Sequence, residues 1–468
     1  MKKLILLFLF SSFLVNAQQK PNVILIVSDD HGYADFSYKG QYDYIKTPNL
    51  DKMLEDGVNF TNAYVTAPIC NPSRVGIITG QYQARSGNFF YGGPGLDKSV
   101  NTMAQGFKSA GYATAYFGKL HYGKNDGPDG FAHPINHGFD ESIVAGKGGR
   151  VHYLYHSKDA VKKHSGTAAP WLKNGKEMEL DGFTTEIISG WSQDYIASHK
   201  DKPFFLQISF NAVHNFNHQL PEKYLKEWDL PYYPDFEELE GDEKYDHWYN
   251  RSIMPNMPNG RKYYAAQLYY MDREIGAIRS QLETLGIDDN TIVVYVSDNG
   301  GSNCNGGENT PLRSTKYSLY EGGVKVPMMM TWGGKYKHIE YNNMVSTMDL
   351  MPTLLAAANA PKESYAQCDG MNILPDLIKQ SKVQRDELVW DVGFAWAVRK
   401  GNWKLKVVTN QQQADKIAKK QHTDMGKGVE LYNLKEDIGE TTNLANQNPD
   451  IVEQLTGIHD KWLQEISD

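Results

Sequence analysis

Cysteine is almost missing from this chain: 468 residues contain only Cys70, Cys304 and Cys368. So few thiols exclude a disulfide-stapled scaffold, and their odd number leaves at least one free for another purpose. Positive charge is also scarce. With 48 Lys and Arg against 56 Asp and Glu, the formal net charge is −8. That excludes a surface given over to nucleic acid, which demands clustered cations in excess, so a polyanionic partner has to be met by a local basic pocket. Beyond the first residues no apolar run is long enough to span a bilayer, and no stable membrane insertion is expected. Internal repeats and low-complexity tracts are absent as well.

What is present is material for a large core. An apolar fraction of 40% with 12% aromatic residues excludes wholesale disorder. At the N-terminus, Lys2 and Lys3 precede an apolar run over residues 4–10, and Val15-Asn16-Ala17 offers a small-residue cut site. This pattern reads as a signal peptide over residues 1–17, placing the mature protein in a periplasm or outside the cell. A catalytic α/β domain is expected over 18–375 and a smaller C-terminal subdomain over 376–468.

Four apolar runs carry the fold argument. Val23-Ile24-Leu25-Ile26-Val27 ends in Ser28-Asp29-Asp30-His31, and Ile292-Val293-Val294-Tyr295-Val296 ends in Ser297-Asp298-Asn299-Gly300. Residues 204–208 lead to His214, and residues 113–117 to Gly118-Lys119-Leu120-His121. Unbroken β-branched and aromatic runs suit strands covered on both faces, as in a parallel sheet flanked by helices. The fold class expected is α/β, a large mostly parallel sheet with helices on both sides and a smaller C-terminal antiparallel α+β subdomain. In open α/β sheets ligands bind beyond the carboxyl ends of the strands, so the polar residues closing these runs belong in one crevice. Residues 263–285 have helical spacing with Gly286 placed to end them, while 122–171 and 221–261 read as long loops. A hairpin is expected over 396–408, turning at 400–402, and a closing helix over 450–466.

The chemistry concentrates at those strand ends. Asp29, Asp30, Asp298 and Asn299 offer hard oxygen ligands that suit Ca²⁺ in preference to Mg²⁺. Either pair alone would read as a cap or a turn; the two together, at similar strand ends, read as a metal site. In Cys70-Asn71-Pro72-Ser73-Arg74, Pro72 fits the first helical position and Asn71 a cap, which puts Cys70 just before a helix N-terminus that attracts anions.

The segment Cys-x-Pro-Ser-Arg followed by Thr79-Gly80 resembles the signature of the formylglycine-dependent (type I) sulfatases, on the alkaline-phosphatase-like superfold. Further landmarks recur in family order: Asp29-Asp30, Gly118-Lys119-Leu120-His121, His214, Asp298-Asn299-Gly300-Gly301, Lys316 and Tyr320-Glu321-Gly322-Gly323. The match spans nearly the whole mature chain. It departs at Val213-His214-Asn215-Phe216, where the family often has Pro-His-x-Pro, and at Ile438, where proline is common. The resemblance implies a sulfuric ester hydrolase in which a maturation enzyme oxidises Cys70 to formylglycine. Its hydrate attacks sulfur, with Arg74 fixing the diol, Lys119 and Lys316 clamping the anion, His214 as acid towards the leaving alcohol and His121 as base for sulfate release. The implied substrate is a sulfated carbohydrate, such as oligosaccharides of the algal polysaccharide ulvan. Lys147, Arg150, His152, His156, Trp171, Asn217, His218 and Arg313 are candidate pocket residues on the intervening loops, though each reads more readily as an ordinary exposed loop residue. Two other readings stand beside this one: a phosphonate or phosphodiester hydrolase of the same superfold, and a carbohydrate-binding homologue without turnover.

Overall fold

The computed structural model describes residues 20–124, 130, 132–146, 148–154, 156, 170–239, 243–378 and 384–467. The expected signal peptide and Lys147 lie outside the described residues. Among those described, ten strands form one sheet in the order Ile339–Tyr341, Val58–Phe60, Met328–Trp332, Thr291–Ser297, Asn22–Ser28, Phe204–Ser209, Ala113–Gly118, Glu141–Ala145, Trp171–Lys173 and Lys176–Met178. The four apolar runs are its four adjacent central strands, all parallel. In register, Ser28 faces Ser297, Val27 faces Ser209, and Gly118 faces Ser209. Their polar extensions therefore leave the sheet at one level.

Alternation explains why these strands are apolar throughout. Val23, Leu25 and Val27 enter one core layer with Val75, Ile78 and Phe107, whereas Ile24 and Ile26 enter the opposite layer with Leu268, Met271 and Ile275. Each fully buried aliphatic side chain contributes roughly 1.5–3 kcal/mol, so the central strands outweigh any surface ion pair in fixing the fold. The long helix of the second layer runs Gly260–Thr284, and Gly286 follows it at φ +65°. From its buried face Asp272 accepts the backbone N–H groups of Leu50 at 2.7 Å and Asn49 at 3.0 Å, capping the neighbouring helix Pro48–Asp56 from outside.

The two expected loops hold more regular structure than their composition shows. Within 122–171 lies the parallel strand Glu141–Ala145, and Trp171 opens a strand of the same sheet. The stretch 221–261 contains the helices Glu222–Glu227 and Tyr245–Trp248 and the π-helical turn Tyr249–Ile253.

A second, antiparallel sheet pairs Glu387–Asp391, Ala395–Lys400, Trp403–Val408 and Val429–Asn433. The hairpin turns through Gly401 and Asn402, with Lys400 opposite Trp403 and Gly401 at φ +57°. Helix Pro449–Ser467 packs Leu455 and Trp462 on Val398, Leu405 and Leu431. Buried ions join the two sheets: Lys404 Nζ lies 2.8 Å from Glu321 Oε1 and 3.0 Å from Glu440 Oε1, and Tyr64 donates to Glu321 at 2.6 Å.

Candidate active site

Much of the site follows from where the central strands stop. Asp29 and Asp30 continue Asn22–Ser28, with Asp30 at φ +60° turning the chain across the strand end. Asp298 and Asn299 continue the adjacent strand Thr291–Ser297, and Asp30 N–H donates to Asp298 Oδ1 at 3.2 Å. Lys119 continues Ala113–Gly118. Helix Cys70–Thr79 points its N-terminus at this cluster. The helix starts earlier than the reading of Pro72 as its first residue: Cys70 is itself helical, Ile69 occupies the cap position and the Asn71 side chain caps nothing. Gly80, at φ +65°, ends it, its N–H donating to Gly76 O.

These side chains converge. Cys70 Sγ is 3.4 Å from Asp29 Oδ1, 3.9 Å from Asp30 Oδ1 and 2.9 Å from Lys316 Nζ. Lys316 Nζ also donates to Asp30 Oδ1 at 2.7 Å, and Lys119 donates to Asp29. Arg74 Nε bonds Asp298 Oδ2 at 2.8 Å, while its Nη2 lies 3.9 Å from Asp29 Oδ1. His214 Nε2 is 3.6 Å from Asp30 Oδ2. His121, at φ +59°, lines the same cavity, its Nδ1 buried without a hydrogen-bond partner.

Burial sets the protonation states. It pushes Asp29 up to about 7; Lys119 opposes the rise, and the neighbouring Asp298 and Asp30 add to it. Burial acts the same way on Asp298, but Arg74, Lys119 and Lys316 outweigh it and hold that carboxyl below its usual range. Burial and the charge of Asp298 drive the Cys70 thiol well up, so an unmodified thiol here stays protonated. Lys316, which burial alone would lower, is instead raised, chiefly by Asp30, and keeps its charge. Burial and then Lys119 push both His121 and His214 well below the ordinary imidazole range, which leaves them neutral at neutral pH.

The carboxylates and the Asn299 amide oxygen offer hard donors, beside a softer sulfur and nitrogen. Asp29, Asp30, Cys70 and His214 present possible ligand atoms within 4.8 Å of one another. Asn299 Nδ2 donates to Asp30 Oδ1 at 2.7 Å, and its Oδ1 is buried with no partner. An orphaned amide oxygen among carboxylates is what an oxygen-liganded divalent ion would satisfy.

The chain matches the family model described as "Sulfatase" over residues 21–360. It belongs to the sulfatase family. A second model, "N-sulphoglucosamine sulphohydrolase, C-terminal", matches residues 314–466. Among curated relatives, an N-acetylgalactosamine-6-O-sulfatase of Bacteroides thetaiotaomicron is 27% identical across 94% of this chain and 92% of its own length. A sulfatase of Formosa agariphila is 28% identical across 93% and 86%. Of solved structures, Ps i-CgsB in complex with k-i-k-neocarrahexaose aligns with a TM-score of 0.77 at 29% identity, covering 95% of this chain and 93% of that one. The chain is thus a sulfuric ester hydrolase by descent, and the expected fold class is borne out.

The substrate candidates fare differently from the central residues. Arg150 lines the cavity around Cys70. His152, His156, Trp171, Asn217, His218 and Arg313 are not among its described lining residues, and all but Arg313 are buried as structural groups. His152 stacks on Phe216, His218 pairs with Asp235 at 2.9 Å, and Trp171 sits in the sheet. Arg313 binds Asp424 and the carbonyl of Glu440 in the C-terminal region. Sequence reasoning missed Asn305, whose Nδ2 donates to Asp30 Oδ2 at 2.6 Å, and Lys420 and Gln421, which reach the cavity from the C-terminal subdomain. Asn305 follows the Asp298 motif by seven residues, a usable signal; nothing local marks Lys420.

Proposed function

We propose that this sulfatase removes sulfate from a sulfated carbohydrate through a formylglycine made from Cys70. The observation that carries the reading is the position of Cys70, at a helix N-terminus inside a cavity, with Lys316 at 2.9 Å and two strand-end carboxylates beside it. A thiol held protonated by burial is a poor nucleophile. Oxidation by a maturation enzyme removes that obstacle, and the hydrated aldehyde supplies both an attacking oxygen and, after attack, a second hydroxyl through which sulfate can leave.

The chain's own residues supply the rest. Lys316, which lines the cavity, and Lys119, bonded to Asp29 beneath it, would bring positive charge towards the non-bridging oxygens, and Arg74, braced by Asp298, keeps positive charge at the helix end. In this reading neutral His121 takes the proton of the second hydroxyl and His214 serves the leaving alcohol. Asp29, Asp30, Asp298 and Asn299 would hold a divalent ion, Ca²⁺ by the all-oxygen donor set, and that ion would supply Lewis-acid polarisation of the sulfate.

The relatives' names support a carbohydrate ester, and an algal polysaccharide such as ulvan remains the specific substrate proposed. Export to the periplasm or medium fits that diet and the N-terminal pattern of the sequence; no described helix is long and apolar enough to cross a membrane. Kinetics on matched aryl sulfate and aryl phosphate esters test the reading. A clear preference for sulfur is expected, and a wide preference for phosphorus would overturn it.

A further inference from the structure

At the base of the cavity around Cys70, Lys316 pairs with Asp30, and beneath them the buried Arg74 and Lys119 pair with Asp29 and Asp298. The wall above it carries further cations. There Arg150 and Lys420 line the cavity, and Asp30, on the floor, is the single carboxylate among the described lining residues. The volume is about 460 Å³, in the range of sites that take an organic ligand and far more than one sulfate group fills.

The two wall cations come from different parts of the chain. Arg150 stacks on Tyr249 with its guanidinium carbon 4.2 Å from the ring centroid. Lys420 closes helix Gln411–Gln421 of the C-terminal subdomain, is exposed, and has no ion-pair partner among the described residues. The segment after it is tied to the loop that carries Lys316. Asn303 donates to His422 O at 2.8 Å, Thr315 and Thr423 hydroxyls meet at 2.8 Å, and Arg313 Nε donates to Asp424 Oδ2 at 2.9 Å.

We propose that this wall binds a second anionic group of the substrate, with Lys420 as a specificity-determining cation. The favoured ester then stands on a saccharide that carries a further sulfate, or a carboxylate, near the scissile group. The inference rests on the sulfatase reading and narrows its substrate class.

The test is calorimetric binding to the Cys70→Ala protein, which cannot turn over, using matched ligand pairs that differ by one anion. The pairs are neocarrabiose with one sulfate or two, and rhamnose 3-sulfate alone or joined to glucuronate. At least one doubly charged ligand should bind about three- to fivefold more tightly than its partner, the scale of one exposed ion pair. The pair that responds identifies sulfate or carboxylate as the second group. Lys420→Gln should bring the ratio to about one, and Lys420→Arg should restore it. No preference in the parent protein, or an unchanged ratio in Lys420→Gln, overturns the proposal. Sulfate release by the aldehyde-bearing enzyme, assayed in parallel on an aryl sulfate, reports on the sulfatase reading separately: its absence defeats that reading whatever the binding ratio shows.

Discussion

Lys316 shows how much one side chain does here. Its ammonium reaches both Cys70 and Asp30, so it spans the nucleophile position and a metal-ligand candidate. Lys316→Ala is expected to lower kcat on an aryl sulfate by about 10²–10³, the loss typical of one preorganised group facing transition-state charge. Asp235 illustrates a purely structural charge. Burial would raise its pKa, but His218, His152 and Gln219 outweigh that and bring it down to about 2. A carboxyl whose folded value lies below its unfolded value near 4 stabilises the fold above that pH and loses the contribution as pH falls towards 2. Between pH 6 and pH 3 the parent should therefore lose about 1 kcal/mol more than Asp235→Asn in urea unfolding. Equal losses would assign the pair no role. At this scale the sequence showed the residues that belong to motifs and misjudged the loop histidines, because a buried His218–Asp235 pair and a free surface histidine look alike in one dimension.

Among the elements, the central strands were legible because burial on both faces leaves no polar alternation to obscure them. The strands Trp171–Lys173, Lys176–Met178 and Ile339–Tyr341 were not, since three residues cannot display a period and their pairing is decided by distant partners. The helix Pro48–Asp56 is another case decided at a distance. Its Thr47 side chain makes no cap, and Asp272, more than 200 residues later, accepts its first N–H groups. Asp272→Ala should cost about 1–3 kcal/mol by leaving those donors buried and unpaired. Thermal or urea unfolding would read this, and a change within experimental error would show that water takes over the cap.

For the whole molecule, the joint between the two sheets matters most, because it holds Lys420 and the Lys316 loop in one frame. Burial would raise Glu321, but Lys404 and Arg399 bring it down to about 2; Glu440 rises to about 7, chiefly through burial, with Lys404 opposing and Glu321 adding. Lys404→Met leaves these carboxylates without their shared cation and should destabilise the protein by about 3–5 kcal/mol, with Glu321→Gln in the same background recovering part of the loss. A full-strength double defect would mean that the ions act independently. None of this joint was visible beforehand: Tyr320-Glu321-Gly322-Gly323 could be matched as a motif, but its partner Lys404 sits in an ordinary alternating strand.

The most direct measurement compares the mass of the peptide containing Cys70 with the rate of sulfate release, in preparations matured to different extents. The rate should rise in proportion to the fraction carrying an aldehyde at that position and vanish in Cys70→Ala. Full activity in protein that carries only the unmodified thiol would contradict the account.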